Sequence, residues 1–78
     1  MTVFDVGRVC RKTSGLDAGK LCVVLSKEKN FATVVGPNIK KTKVNLRHLE
    51  PLPNTVKTGK DADQAEATEL LKNEGLIL

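Results

Sequence analysis

Val6-Gly7-Arg8-Val9-Cys10-Arg11-Lys12-Thr13-Ser14-Gly15-Leu16-Asp17-Ala18-Gly19-Lys20-Leu21-Cys22-Val23-Val24 is the stretch that decides how this chain folds. Two short apolar runs, residues 6–10 and 21–25, flank a loop that carries Arg11, Lys12, Thr13, Ser14, Gly15, Asp17, Gly19 and Lys20. The runs predict strands, because Val is enriched on pleated, half-buried surfaces and Gly-rich segments bound them. The loop predicts a turn, because Gly15 and Gly19 can reach positive φ without a Cβ clash. Cations at its edges and little bulk between them suit a phosphate backbone; an ordinary charged hairpin fits the same residues equally well.

Outward from this hairpin, the charge is unevenly placed. Residues 1–60 hold twelve Lys and Arg against four Asp and Glu, a net of +8, and residues 61–78 hold one Lys against five Asp and Glu, a net of −4; together they give the +4 of the whole chain. A basic body with an acidic tail points to a polyanionic partner for the body and another task for the tail. The cluster Lys40, Lys41 and Lys43 strengthens that reading over a merely solvated surface. Phe4 and Phe31 are the only aromatic residues. That scarcity argues against domains that stack single-stranded bases on exposed rings and against aromatic-lined proline-peptide grooves. A nucleic acid would be gripped by backbone and shape.

At 78 residues the chain is the size of one domain. Two Cys cannot make the multi-bridge scaffold of small secreted proteins, no signal-peptide pattern is present, and no apolar run approaches a membrane span. A soluble intracellular chain with reduced thiols is expected.

Along the chain, Phe4 is expected in the core. Strands are expected at residues 6–12, with Gly7 permitting a bulge, at 21–26, apolar enough to be covered on both faces, and at 31–35. Residues 27–30 form a polar turn, and Gly36-Pro37-Asn38 ends the third strand. Residues 39–42 read as a basic loop. Residues 43–47 alternate as a fourth strand, with Val44 and Leu46 on one side and Lys43, Asn45 and Arg47 on the other. Residues 48–53 give a turn and a short edge strand confined by Pro51 and Pro53. Five short strands at this spacing predict a mainly β fold, a small SH3-like five-stranded barrel over residues 1–53. A polar connector and a helix follow in 54–78, the helix running from an Asp61 N-cap with Gln64 closing a capping box to Asn73, with Gly75 just past its end. Its apolar stripe, Ala62, Ala65, Leu70 and Leu71, is too narrow to hold it in water alone, so it packs on the barrel or on a neighbour.

Catalytic chemistry finds no seat. His48 is the only His, and it suits a structural hydrogen bond. Cys10, Cys22 and His48 make at most three zinc ligands and lack the close Cys spacing of structural sites, so buried free thiols are expected. Gly15 and Gly19 lack the third Gly and helix start of a dinucleotide fingerprint, and no Walker A motif occurs, so no cofactor is expected.

Val6-Gly7-Arg8-Val9, the loop with Gly15 and Ala18-Gly19-Lys20, and then Cys22-Val23-Val24 resemble a KOW motif, a β-turn unit that binds RNA or protein in ribosomal proteins and transcription elongation factors. The longer pattern is more specific. Ala18-Gly19-Lys20-Leu21-Cys22-Val23-Val24, Val34-Val35-Gly36-Pro37 and Lys43-Val44-Asn45-Leu46-Arg47-His48-Leu49-Glu50-Pro51 are similar, in this order, to the fourteen-e family of archaeal and eukaryotic large-subunit ribosomal proteins. The resemblance covers roughly residues 3–78 and implies an SH3-like barrel, a structural role on rRNA in the cytoplasmic ribosome, and no catalysis. Under that reading Arg11, Lys12 and Lys20, and Lys40, Lys41, Lys43 and Arg47, neutralise phosphates. Ser14 and the backbone near Gly15 and Gly19 add neutral hydrogen bonds, and the acidic helix packs on the barrel or meets a neighbouring ribosomal protein. The alternative from another class is a protein-binding KOW domain of a transcription or translation factor.

Overall fold

The computed structural model describes residues 6–13, 15–16, 18–58 and 62–76. Strands β1 (Arg8–Lys12), β2 (Leu21–Lys27), β3 (Phe31–Gly36), β4 (Ile39–Asn45) and β5 (Leu49–Thr55) form one antiparallel sheet in the order β4-β3-β2-β1-β5. A 3₁₀ turn, Leu46–His48, joins β4 to β5, and helix α1 (Gln64–Asn73) follows.

That 3₁₀ turn explains the shape. β4 and β5 occupy opposite edges of the sheet, yet three residues link them, and a 3₁₀ segment advances only about 2 Å per residue. So short a link brings the far end of β4 to the start of β5 only if the sheet rolls over on itself. The ends are pinned accordingly: Leu46 N–H donates to the Asn30 carbonyl at 3.0 Å, and Thr13 N–H donates to the His48 carbonyl at 3.0 Å. The edges share no ladder, so the roll is closed by the turn rather than by strand pairing. Its interior holds Cys10, Cys22, Val24, Ala32, Val34, Ile39, Val44 and Leu49, all buried and drawn from all five strands.

The opposite face of the sheet is covered by α1. Leu71 packs on Val9 and Val23, and Ala62 and Ala67 pack on Leu25 and Val35. β2 at the centre therefore buries Cys22, Val23, Val24 and Leu25 in succession, because alternate side chains enter two different cores. This is the two-sided cover its continuous apolar run predicts, and the fold is mainly β with five antiparallel strands and one C-terminal helix, as expected.

Four local expectations change. β1 begins at Arg8, because Val6 and Gly7 form a turn in which Gly7 N–H bonds the Val24 carbonyl at 2.8 Å and Val56 N–H bonds the Gly7 carbonyl at 2.8 Å. Gly7 sits at φ +92°, and a Cβ there would run into the Val56 carbonyl oxygen. Residues 39–42 are the first half of β4 rather than a loop. The strand is an edge that buries only Ile39 and Val44, and a register shift between Val34 and Gly36 allows those two, five positions apart, to face one core. The alternation of 43–47 breaks at Asn45, whose Oδ1 accepts the Arg47 N–H at 2.9 Å and caps the 3₁₀ turn, so Leu46 and Arg47 leave the sheet. The last strand runs on to Thr55, past both prolines, on the outer edge where missing N–H groups cost no ladder bond.

The helix starts at Gln64 with Asp63 as its cap, Asp63 Oδ1 accepting the Glu66 N–H at 2.8 Å. Its buried residues are Ala67 and Leu71, whereas Ala65 is exposed. Gly75 at φ +75° follows its end, and Leu76 packs with Leu71 against β1 and β2. Phe4 and Asp61 lie outside the described residues.

Candidate nucleic-acid interface

The loop between β1 and β2 is a closed hairpin. Lys12 N–H donates to the Lys20 carbonyl at 3.0 Å, Gly19 N–H donates to the Lys12 carbonyl at 2.7 Å, and Ala18 N–H donates to the Gly15 carbonyl at 3.2 Å. Gly15 at φ +82° and Gly19 at φ +87° supply the left-handed backbone this closure needs, and a Cβ at either would meet open space. These glycines are thus required by turn geometry rather than by packing. With the Gly19 N–H already bonded, the loop offers bare backbone at Gly19 rather than that donor. Ser14 lies outside the described residues.

Antiparallel pairing sets the turn between β3 and β4 at the same end of the sheet as this loop: Val35 lies opposite Val23, and Gly36 opposite Ile39. Gly36 packs so closely on Leu21 that a Cβ would strike the Leu21 carbonyl oxygen. The start of β4, with exposed Lys40 and Lys41, therefore lies across β3 from the start of β2, where Lys20 is exposed. Residues 19–21, Pro37 and Asn38, and Thr68 and Lys72 of α1 line a cleft of about 620 Å³ at this end.

The cations differ in how they are engaged. Arg11 lies directly opposite Glu50 on β5 and forms an ion pair with it. Lys43 lies nearer the other end of β4 and pairs with Glu28 at 2.9 Å. Both pairs are solvent-exposed, where such contacts contribute about 0–1 kcal/mol and can be exchanged for a phosphate. Arg47 is exposed on the 3₁₀ turn, and Lys12 is half-buried at the end of β1. Two cations outside the expected set have assigned places. Arg8 turns inward and donates from Nη1 to the Leu52 carbonyl at 3.0 Å, stitching β1 to β5. Lys72 reaches the cleft from the acidic C-terminal segment, and only the fold reveals that it stands near Lys20.

Cys10 and Cys22 face each other across β1 and β2, free and buried in the rolled core. Burial pushes the Cys10 thiol up to about 11 against a small opposing effect of Arg8. Burial, reinforced by the neighbouring Cys10, pushes Cys22 up to about 12. Burial thus disfavours, at both positions, the thiolate on which cysteine reactivity depends.

No family model matches the chain. Individual relatives do. The large ribosomal subunit protein eL14 of Metallosphaera sedula is 42% identical over 82 aligned positions, covering 99% of this chain and 85% of the relative. The eL14 protein of Methanococcus vannielii is 38% identical over 78 positions, covering 99% of this chain and 100% of the relative. That of Sulfolobus acidocaldarius is 36% identical over 81, covering 97% and 84%. The chain belongs to the eL14 family. The eL14 relatives are proteins of the large ribosomal subunit, a family that is not enzymatic. Residues 43–51 are the segment that caps the 3₁₀ turn at Asn45, rolls the sheet, and places Glu50 opposite Arg11.

Proposed function

We propose that the chain is a structural constituent of the large ribosomal subunit that holds rRNA through the cationic end of its barrel. Membership in the eL14 family supports the ribosomal role. The observation that carries the RNA reading is the convergence of the β1–β2 hairpin, with exposed Lys20, and the start of β4, with exposed Lys40 and Lys41, at one end of the sheet. Long flexible cations on a rigid rim suit phosphate groups, which fix position and register without base readout. Arg11 and Lys43 join by releasing Glu50 and Glu28, and Arg47 extends the surface along the 3₁₀ turn. The bare backbone at Gly15 and Gly19 lets the hairpin approach a narrow groove or a phosphate closely.

The test is binding of the purified chain to large-subunit rRNA across a salt series. Each neutralised phosphate releases counterions, so affinity should fall linearly on a log–log plot with a slope of roughly −0.7 to −0.9 per contact. Affinity insensitive to salt, with the chain still sedimenting with large subunits, would favour the protein-binding alternative.

A further inference from the structure

We propose that Phe31 stacks one unpaired base of the bound RNA, on an outward-facing patch at the end of the sheet opposite the β1–β2 hairpin. The inference rests on the RNA-binding reading and gives the interface a second site. Phe31 is the first residue of β3 and is 44% exposed. A single exposed apolar side chain is ordinary on a folded domain, so exposure alone assigns nothing. Its position says more. Ala32 and Val34 enter the rolled core, and strand alternation puts Phe31, Thr33 and Val35 on the other face. α1 covers that face at Val35 through Ala62 and Ala67. It leaves Phe31 open, outside every buried cluster of the described residues.

The surroundings of the ring suit RNA. Phe31 lies directly opposite Asn45, and Thr33 opposite Lys43, so Asn45 and Lys43 share its face of the sheet. Leu46 N–H donates to the Asn30 carbonyl at 3.0 Å, which fastens the 3₁₀ turn carrying exposed Arg47 to the turn carrying exposed Lys29. The ring therefore stands where two cation-bearing turns meet. Residues 26–47 hold six Lys and Arg against one carboxylate, Glu28, and Glu28 pairs with Lys43 on the surface. A protein partner held by apolar contact needs a broad patch, whereas one ring bordered by cations matches a base with its flanking phosphates. Stacking asks only for a π face, which every base has. The scarcity of aromatic residues argues against a row of stacked bases and leaves room for one.

The experiment uses the full chain and an archaeal large-subunit rRNA transcript, with thermal unfolding as a check that each variant is folded. Phe31→Ala should weaken binding roughly 5- to 150-fold, the range for losing one stacked base, and leave the log–log salt slope unchanged, because a stack neutralises no phosphate. Phe31→Leu keeps an apolar side chain without a ring face and should lose affinity as well; it carries the test if Phe31→Ala unfolds. Phe31→Trp should bind at least as tightly as the wild type. It introduces the only Trp of the chain, and its emission should be quenched in step with binding. Wild-type affinity in Phe31→Leu, or indole emission unmoved at saturating RNA, overturns the stack. If Phe31→Ala and Phe31→Leu bind like the wild type while Lys40→Gln/Lys41→Gln loses affinity, the stacking proposal falls and the RNA reading stands. If none of the variants weakens binding, the RNA reading falls as well. A Phe31→Ala chain that binds rRNA normally but no longer sediments with subunits would assign the ring to a protein neighbour, which also overturns the proposal.

Discussion

β2 and β4 are each seven residues long and lie two places apart in one sheet, yet they do opposite work. β2 buries four consecutive side chains between the rolled core and the helix. β4 buries Ile39 and Val44 and exposes Lys40, Lys41, Thr42 and Lys43 between them. The centre of the sheet carries stability and its edge carries charge. In a chain this small, with little core to spare, that division allows the charged edge to serve a polyanion without loosening the fold. Lysines along β4 also keep an unpaired strand edge from joining another sheet.

Substitutions should separate the two strands, and the largest effect belongs to β2. Leu25→Ala should cost about 2–5 kcal/mol, because the deleted atoms leave a cavity beneath Ala62 and Ala67. A urea midpoint close to the wild-type value would mean that α1 does not seal this face. Cys22→Ser comes next, at about 1–3 kcal/mol, since a hydroxyl would replace a thiol in an apolar core.

The same thiols give β2 a pH signature. Their folded values, about 11 for Cys10 and about 12 for Cys22, lie above the ordinary 9.0 because burial disfavours the thiolate. Between pH 9 and 12 the unfolded chain binds fewer protons than the folded one, so stability is full below about 9 and falls as pH rises through that window. Cys22→Val, similar in volume, should reduce the alkaline loss when unfolding is followed against pH. An identical alkaline limb in the variant would contradict a buried neutral thiol.

Comparable in size is Gly19→Val in the hairpin. At φ +87° a β-branched residue is strained by about 1–3 kcal/mol although nothing crowds the site. Its effect on RNA binding should exceed its effect on the thermal midpoint, and the reverse ranking would make the loop a purely structural device. The smallest effect is expected from Glu66→Gln/Glu69→Gln/Glu74→Gln on and just after α1, which should leave the salt slope of RNA binding nearly unchanged, because these carboxylates neutralise no phosphate. A slope shift as large as that of a lysine variant would place the acidic flank against RNA.

The contrast between the strands also explains what was legible in the sequence. β2 announces itself through unbroken apolar character, and the paired glycines announce the hairpin beside it. β4 is obscured because an edge strand has no need of strict alternation: Ile39 and Val44 are brought to one core by a register shift that no local pattern encodes. The 3₁₀ turn hides in Val44-Asn45-Leu46-Arg47, which alternates like a strand until the Asn45 side chain caps the turn. The helix start is displaced because Asp63, as competent a cap as Asp61 by residue type, accepts the Glu66 N–H and sets Gln64 as the first helical residue. Among the cations, local sequence cannot tell that Lys72 lines the cleft beside the hairpin or that Arg8 turns inward.

The central claim is that the exposed edge of β4 binds RNA while β2 holds the fold. It is tested most directly by Lys40→Gln/Lys41→Gln/Lys43→Gln, measured for rRNA affinity across a salt series and for thermal stability in the same buffers. Since all three side chains are exposed and only the Lys43–Glu28 surface pair is lost, the midpoint should stay near that of the wild type. Affinity should drop, and the log–log slope should flatten by roughly 0.7–0.9 for each contact removed. Unaltered affinity and slope in a folded variant would contradict the account.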